Sequence, residues 1–272
     1  MLTLLPTPIG NIEDISIRAM RALETADAVL CEDTRVAKKL LNLLAERHGL
    51  KHDIQMFLSL HSHNEQAFLD RLDPSFFERH VVYMSDAGMP CISDPGAALV
   101  AWCREHGVDY TVLPGPSAFI TAYAASGFGD PKFCFFGFLP HKGKARETAL
   151  EEALAQTHPV ILHESPHRLE KLLTELAEHA PDREIFAAKE LTKRHETFFK
   201  GTPESLKAQI TGPMLKGEWV LAIAPGEARG DALALDETAI TALDLPPKQK
   251  AKLLAKATGK SVRECYERLI GE

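Results

Sequence analysis

Short apolar runs, separated by stretches in which apolar positions recur at helical spacing, set the rhythm of this chain. Leu2 to Leu5, Ala28 to Cys31, Gln55 to Leu60, Val81 to Ser85 and Val108 to Leu113 read as strands, and the unbroken ones as strands covered on both faces. Between them, Ile17, Met20, Ala22 and Leu23 mark a helix face behind a cap at Asp14 or Ser16. Val36, Leu40, Leu41, Leu43 and Leu44 mark a second helix that stops at His48-Gly49, and Ala97 to Glu105 forms a third. This βαβαβ order predicts a parallel sheet. After the stiff Pro114-Gly115-Pro116 turn the alternation resumes, with helices at 117–126, 144–156, 166–179 and 203–209 and strands at 133–138, 159–163, 184–189 and 218–224. Beyond Pro225 the chain turns polar to about Asp236, then forms one or two short helices up to Ile270. The expected fold class is α/β: two α/β domains with mainly parallel sheets, residues 1–114 and 115–225, and a linker with a small helical appendage over 226–272.

Composition narrows the setting. At 272 residues and 45% hydrophobic, the chain can bury one large core or two medium ones. Its five cysteines are scattered and odd in number, which argues against a disulfide framework and a zinc site. The apolar start is broken by Pro6 and Pro8 and has no basic lead-in, and no apolar run nears the roughly 20 residues of a membrane span. A cytoplasmic protein without membrane contact is expected. The net charge of −7 argues against a surface coated for nonspecific nucleic-acid binding. Basic clusters do occur at Arg35, Lys38 and Lys39, at Lys142, Lys144 and Arg146, at Lys189, Lys193 and Arg194, and from Lys248 to Lys256. Each reads equally as a local contact patch or as the solvated face of an element.

In an open α/β sheet ligands bind outside the carboxyl ends of the strands, and the unusual loops of this sequence all fall there. The most constrained runs from Ser85 to Gly96, with Asp86 and Asp94, Gly88 and Gly96, and Pro90 and Pro95 spaced so that the chain turns tightly twice. Such a loop wraps a zwitterion, glycine admitting a carboxylate and aspartate an ammonium or hydroxyl; as a capped βα turn it needs no ligand. No G-x-G-x-x-G follows the first strand and no phosphate-loop motif occurs. His61 and His63, near Asp53 and Glu65, lack zinc spacing, so no metal is expected. Ser117 follows Gly-Pro, outside a nucleophile elbow.

Taken in order, Pro6-Thr7-Pro8-Ile9-Gly10-Asn11 with Asp14-Ile15, Glu32-Asp33-Thr34-Arg35, His63-Asn64-Glu65, Ser85-Asp86-Ala87-Gly88 through Ser93-Asp94-Pro95-Gly96, and Leu113-Pro114-Gly115 carry a resemblance. Phe136-Gly137-Phe138-Leu139-Pro140, Glu164-Ser165-Pro166-His167-Arg168, Lys189-Glu190-Leu191-Thr192-Lys193 and Lys216-Gly217-Glu218 extend it to nearly everything between Leu2 and Ala224. These motifs resemble the small-subunit ribosomal RNA cytidine-2′-O-methyltransferases of the tetrapyrrole methylase superfamily. The resemblance implies a two-domain α/β homodimer that binds S-adenosyl-L-methionine in a cleft and acts on 16S ribosomal RNA or the 30S subunit. It places Pro8, Asp86, Gly88, Ile92, Ser117, Ala118 and Leu139 against the cofactor. Each has a structural alternative: Pro8 ends a strand, Ile92 is core, Ser117 caps its helix. Arg35, Arg168, Lys193 and Arg194 are the expected RNA contacts. Glu164 and Lys189, from a wider set with His167 and Glu190, are the candidates to assist deprotonation; as pairs, Glu164 with Arg168 and Glu190 with Lys193 read equally as helix-type ion pairs. A tetrapyrrole methyltransferase and a noncatalytic RNA-binding protein are the alternative functions.

Overall fold

The computed structural model describes residues 1–226 and 237–270, in two compact units, Met1–Pro225 and Gly226–Glu272. The first unit contains two five-stranded sheets. One comprises β1 (Leu2–Leu4), β2 (Ala28–Cys31), β3 (Met56–Ser59), β4 (Val81–Met84) and β5 (Tyr110–Val112), in the order β3-β2-β4-β1-β5 with every pairing parallel. The inner strands β2 and β4 are buried at every position, which is why their sequences are unbroken apolar runs. At the edge, β5 leaves Tyr110 and Val112 exposed.

Helix α1 (Ile17–Glu24) starts where the Ser16 hydroxyl accepts the Ala19 amide at 3.0 Å, and α2 (Thr34–His48) runs from the Asp33 cap to Gly49, whose φ of 69° ends it. Both helices pack on the face that carries Leu5, Val29, Cys31, Val82 and Met84. The opposite face, with Leu2, Leu4, Leu30 and Tyr83, is covered by α3 (Glu65–Leu69) and α4 (Ala97–Glu105). Strands β1 and β4 are neighbours, yet the chain leaves β1 for one face and β4 for the other. A crevice therefore opens at their carboxyl ends, the position at which α/β sheets bind ligands.

The second sheet comprises β6 (Cys134–Phe138), β7 (Val160–Glu164), β8 (Ile185–Lys189), β9 (Thr197–Gly201) and β10 (Trp219–Ile223), in the order β6-β7-β10-β8-β9. Only β6 and β7 pair in parallel; β10 runs antiparallel between β7 and β8, and β9 antiparallel to β8. Across both sheets parallel pairing predominates, five of eight, and every antiparallel pair lies in the second half. Strand β9, absent from the sequence reading, is an edge strand with Phe198 exposed and Phe199 half-buried, so it carries no apolar run of the kind that marks the buried strands. Helix α5 (Ala118–Ser126) covers one face through Ala122 on Ile161 and Val220, while α6 (Lys144–Leu154), α7 (Leu169–His179) and α8 (Pro203–Gln209) cover the other around Trp219. Because β6, β7 and β8 run in one direction, Leu139, Ser165 and Glu190 follow them at a single edge. Glu218, which precedes β10, joins them there.

The loop after β1 meets the loop after β8. A Cβ at Gly10 would lie 2.4 Å from Lys193 Cγ and 2.7 Å from the Leu191 carbonyl oxygen, so only glycine permits this approach. Among its described residues the second unit has three helices where one or two were expected, α9 (Glu237–Ala242), α10 (Pro247–Thr258) and α11 (Val262–Ile270), packed through Ile240, Ala251, Leu254 and Cys265. Pro246 and Pro247 separate the first two, and a reciprocal Ser261–Glu264 cap starts the last. The linker expected up to about Asp236 lies outside the described residues, apart from its first one.

Candidate active site

The β1/β4 crevice is built by backbone pairing. Thr7 and Gly88 exchange both main-chain hydrogen bonds at 3.0 Å, and the Thr7 hydroxyl donates to the Ser85 carbonyl at 3.2 Å. Asp86 sits at the open end of this lashing. Its Oδ1 accepts the Asp33 amide at 3.2 Å, which joins the loop after β2 to the loop after β4. Farther along, Cys91 adopts a φ of 67°, a left-handed conformation that a non-glycine residue takes only when its surroundings enforce it. Gly96 then closes the loop at a φ of +113°, its amide donating to Glu65 Oε1 at 2.8 Å.

Carboxylates gather at the same edge. Burial is the largest cause that holds the Asp94, Glu32 and Asp86 carboxyls above their ordinary pKa; nearby carboxylates add to it, and hydrogen bonds from Ser85 to Asp94 and from the Asp33 amide to Asp86 oppose it. Asp33 behaves oppositely: the Arg35 side chain bonded to it brings its pKa down to about 2. Partly buried carboxylates that resist ionisation are relieved by a cationic group, so this end of the crevice suits a ligand carrying positive charge.

The expected cofactor residues fall unevenly around it. Pro8 is half-buried beside Thr7, Gly88 is buried in the bridge, and Ile92 is 51% exposed, so it is not core. Pro116 brings the start of α5 to the same place, its carbonyl oxygen 3.9 Å from where a Gly88 Cβ would stand. Ser117 precedes α5 without capping it through its side chain, and its buried Oγ has no hydrogen-bond partner. Ala118 is half-buried against the second sheet. Leu139 is 3% exposed with its side chain in the core, and its carbonyl accepts a hydrogen bond from Arg168.

The candidates on and around the second sheet require correction. Glu164, expected as a base, has a fully buried side chain inside a cationic cage: Arg168 Nη2 donates to its Oε2 at 3.2 Å, Arg168 Nε lies 2.9 Å from its Oε1, and Arg146 Nη2 lies 3.6 Å from Oε2. Its Oε1 also accepts the Ser165 amide at 2.8 Å. A carboxylate that is fully buried and held between two guanidiniums is out of reach of a substrate hydroxyl, and it works as a counter-ion. Arg168, expected on RNA, spends its guanidinium on Glu164 and on the Leu139 carbonyl at 2.6 Å. Arg146, read in sequence as part of a basic patch, is 2% exposed and donates three hydrogen bonds to Glu175, the shortest 2.7 Å. Lys193 bridges Glu190 and Glu218, each at 3.0 Å, so its charge is already matched. Arg35 is 89% exposed and paired with Asp33, whereas Arg194 is exposed with no ion-pair partner among the described residues. Lys189 ends β8 with Nζ 5.8 Å from the Trp219 ring centroid.

One polar residue escaped the sequence reading. His163, next to last in β7, sits between Phe135 and Phe138, with ring centroids 5.1 and 5.4 Å away, and its buried Nε2 has no partner. Burial lowers its pKa and keeps the imidazole neutral. The only signal for it in the sequence is a polar residue near the end of the apolar run Val160–Glu164.

This architecture has relatives. The profile of the tetrapyrrole (corrin/porphyrin) methylases matches residues 1–207. The ribosomal RNA small subunit methyltransferase I of Helicobacter pylori is 43% identical over 286 residues, covering 100% of this chain and 98% of that protein. Its namesake from Campylobacter fetus is 45% identical, covering 99% and 100%. Among solved structures, a uroporphyrin-III C-methyltransferase from Thermus thermophilus complexed with S-adenosyl homocysteine superposes with a TM-score of 0.52 at 17% identity, covering 84% of this chain and 97% of that one. With a crevice at the β1/β4 ends, two successive sheets and full-length identity of this order, the chain belongs to the tetrapyrrole methylase family and, within it, groups with the small-subunit ribosomal RNA methyltransferases I.

Proposed function

We propose that the chain transfers the methyl group of S-adenosyl-L-methionine to the 2′-hydroxyl of a cytidine in 16S ribosomal RNA. The observation that carries this reading is the 43–45% identity, along the whole chain, to relatives named for small-subunit ribosomal RNA. The tetrapyrrole enzyme shares the fold at 17% identity, which gives no ground for a corrin or porphyrin substrate. A noncatalytic role would leave the unpartnered Ser117 hydroxyl and the strained Cys91 loop without purpose.

The crevice fits the cofactor. Asp86 offers an open carboxylate edge to an ammonium, the loop that carries it continues through Gly88 to the exposed Ile92, and the Ser117 hydroxyl next to Ala118 offers a buried polar atom without a partner. Bound there, the cofactor supplies a methyl group already activated by its sulfonium. The protein's contribution is then alignment of the ribose hydroxyl and exclusion of water, with Lys189 assisting deprotonation. The reading includes a cytoplasmic homodimer that acts on the 30S subunit or its RNA. The exposed Tyr110 and Val112 on the β5 edge support a partner surface.

Calorimetric titration with S-adenosylhomocysteine tests the site. Asp86→Ala is expected to weaken binding roughly tenfold or more, the worth of a charge-assisted hydrogen bond. The sign of the pH response follows from the raised pKa values of Asp86, Asp94 and Glu32. Protonation removes the charge that attracts the ligand's ammonium, so affinity falls as pH drops through the window just above the ordinary carboxylate range, and it is regained above that window. A flat pH response together with unchanged affinity in Asp86→Ala would remove the ligand from this crevice. Lys189 is tested by single-turnover methylation with Lys189→Ala, where an unchanged rate takes it out of the reaction.

A further inference from the structure

An open cleft of about 470 Å3 lies beside the crevice, where the loop after β1 and the end of α2 face the loop after β8. Gly10, Asn11, Arg47, Thr192, Lys193 and Arg194 line it. The charges are not equivalent. Lys193 is matched by Glu190 and Glu218, but Arg47 and Arg194 are exposed, and neither has an ion-pair partner among the described residues. Two uncompensated guanidiniums thus face one recess, one from each half of the first unit, in a protein whose net charge is −7. Such an excess is unfavourable until an anion shares it. The loop that brings Arg194 into place is itself forced: Glu190 and Thr192 adopt left-handed φ values of 52° and 62°. In the same loop Thr192 also holds a buried hydroxyl oxygen with no partner. The close approach at Gly10 fixes the two walls against each other.

We infer that this cleft is a subsite for a backbone phosphate of the RNA substrate, gripped by Arg47 and Arg194 while the target ribose enters the adjoining crevice. Guanidinium suits the role because its planar fork donates two hydrogen bonds to one phosphate. The inference rests on the ribosomal RNA reading above. It replaces the expected contacts Arg168 and Lys193, whose charges are committed inside the protein, keeps Arg194 and adds Arg47.

The test uses the full-length protein, a fluorescent 16S RNA fragment and small ribosomal subunits. Arg47→Glu and Arg194→Glu are each expected to weaken RNA binding roughly tenfold, as loss of a hydrogen-bonded charge does, and to raise KM for subunits with little change in kcat. Each also lowers the slope of log affinity against log salt by about 1, the signature of one lost phosphate contact. Arg194→Lys restores the slope, S-adenosylhomocysteine affinity stays at the wild-type value in all variants, and Arg104→Glu on α4 serves as the control that changes nothing. If the wild-type protein binds RNA and the double variant Arg47→Glu/Arg194→Glu binds it with the same affinity and slope, the subsite is refuted while the function stands. If the wild-type protein binds no RNA, the ribosomal reading fails and the subsite fails with it.

Discussion

Glu164→Ala is expected to lose about 3–5 kcal/mol of folding stability, the cost of removing one partner from a buried charge cluster. Glu164 and Arg146 have 0% and 2% of their side chains exposed, and Glu175, the remaining anion, 20%. Without Glu164, Arg168 keeps only the Leu139 carbonyl, and Arg146 keeps Glu175 and the Pro140 carbonyl. Arg168 is then left without an anionic partner in a region that is largely closed to water. Glu164→Gln preserves shape and the acceptor for the Ser165 amide, so its loss is smaller. The pair Glu164→Leu with Arg168→Met, which removes both partners of the 2.9 Å ion pair and leaves Arg146 on Glu175, is expected to recover much of the deficit, since apolar replacements of buried ion pairs are often neutral. Urea unfolding measures all three. The outcome also separates roles: a base would show normal stability and lost turnover, whereas this cage predicts that activity is lost only as far as folded protein is lost.

Gly96→Ala carries the second large effect, and there the crevice itself is hit. An added Cβ would stand 2.3 Å from Tyr83 Cε1 and 2.8 Å from Cys91 Sγ. Neither neighbour gives easily: Tyr83 is fully buried on β4 and its hydroxyl donates to the Pro95 carbonyl at 2.6 Å, while Cys91 is already held left-handed. The φ of +113° adds strain for any side chain. The loop must therefore move, and displacement of a positioning loop by about 1 Å costs on the order of 10²-fold in rate. We expect kcat/KM to fall by that order, with S-adenosylhomocysteine affinity falling alongside and a stability loss of a few kcal/mol. Normal activity in Gly96→Ala would mean that the Asp86 to Gly96 loop does not position the reaction.

Much of this architecture was legible in the order of residues. The strand and helix alternation, the Ser16 cap, the Gly49 stop and the bounds of Ala97–Glu105 and Pro203–Gln209 all follow from local patterns whose causes lie within a few residues. What escaped depends on distant partners. Nothing local says that β10 inserts antiparallel between β7 and β8, because strand order is decided by packing across the sheet. Arg146 reads as a surface charge because its partner Glu175 lies 29 residues away, whereas the Glu164 and Arg168 pair, four residues apart, was one of the two readings the sequence offered. The crevice loop was legible as unusual because its glycines, prolines and acids are consecutive; that Ser117 leaves its hydroxyl unpaired there was not, since serine before a helix normally caps it. The Arg47 and Arg194 cleft joins residues almost 150 positions apart, beyond the reach of any motif.

The most direct test of the central claim is incubation of the protein with methyl-labelled S-adenosyl-L-methionine and either small ribosomal subunits from cells lacking this methyltransferase or a precorrin, followed by nuclease digestion and identification of the labelled product. Label on the 2′-oxygen of a cytidine from 16S RNA, with none in the precorrin, is the result this account predicts. Label in the precorrin alone, or none in RNA from subunits that lack the modification, would contradict it.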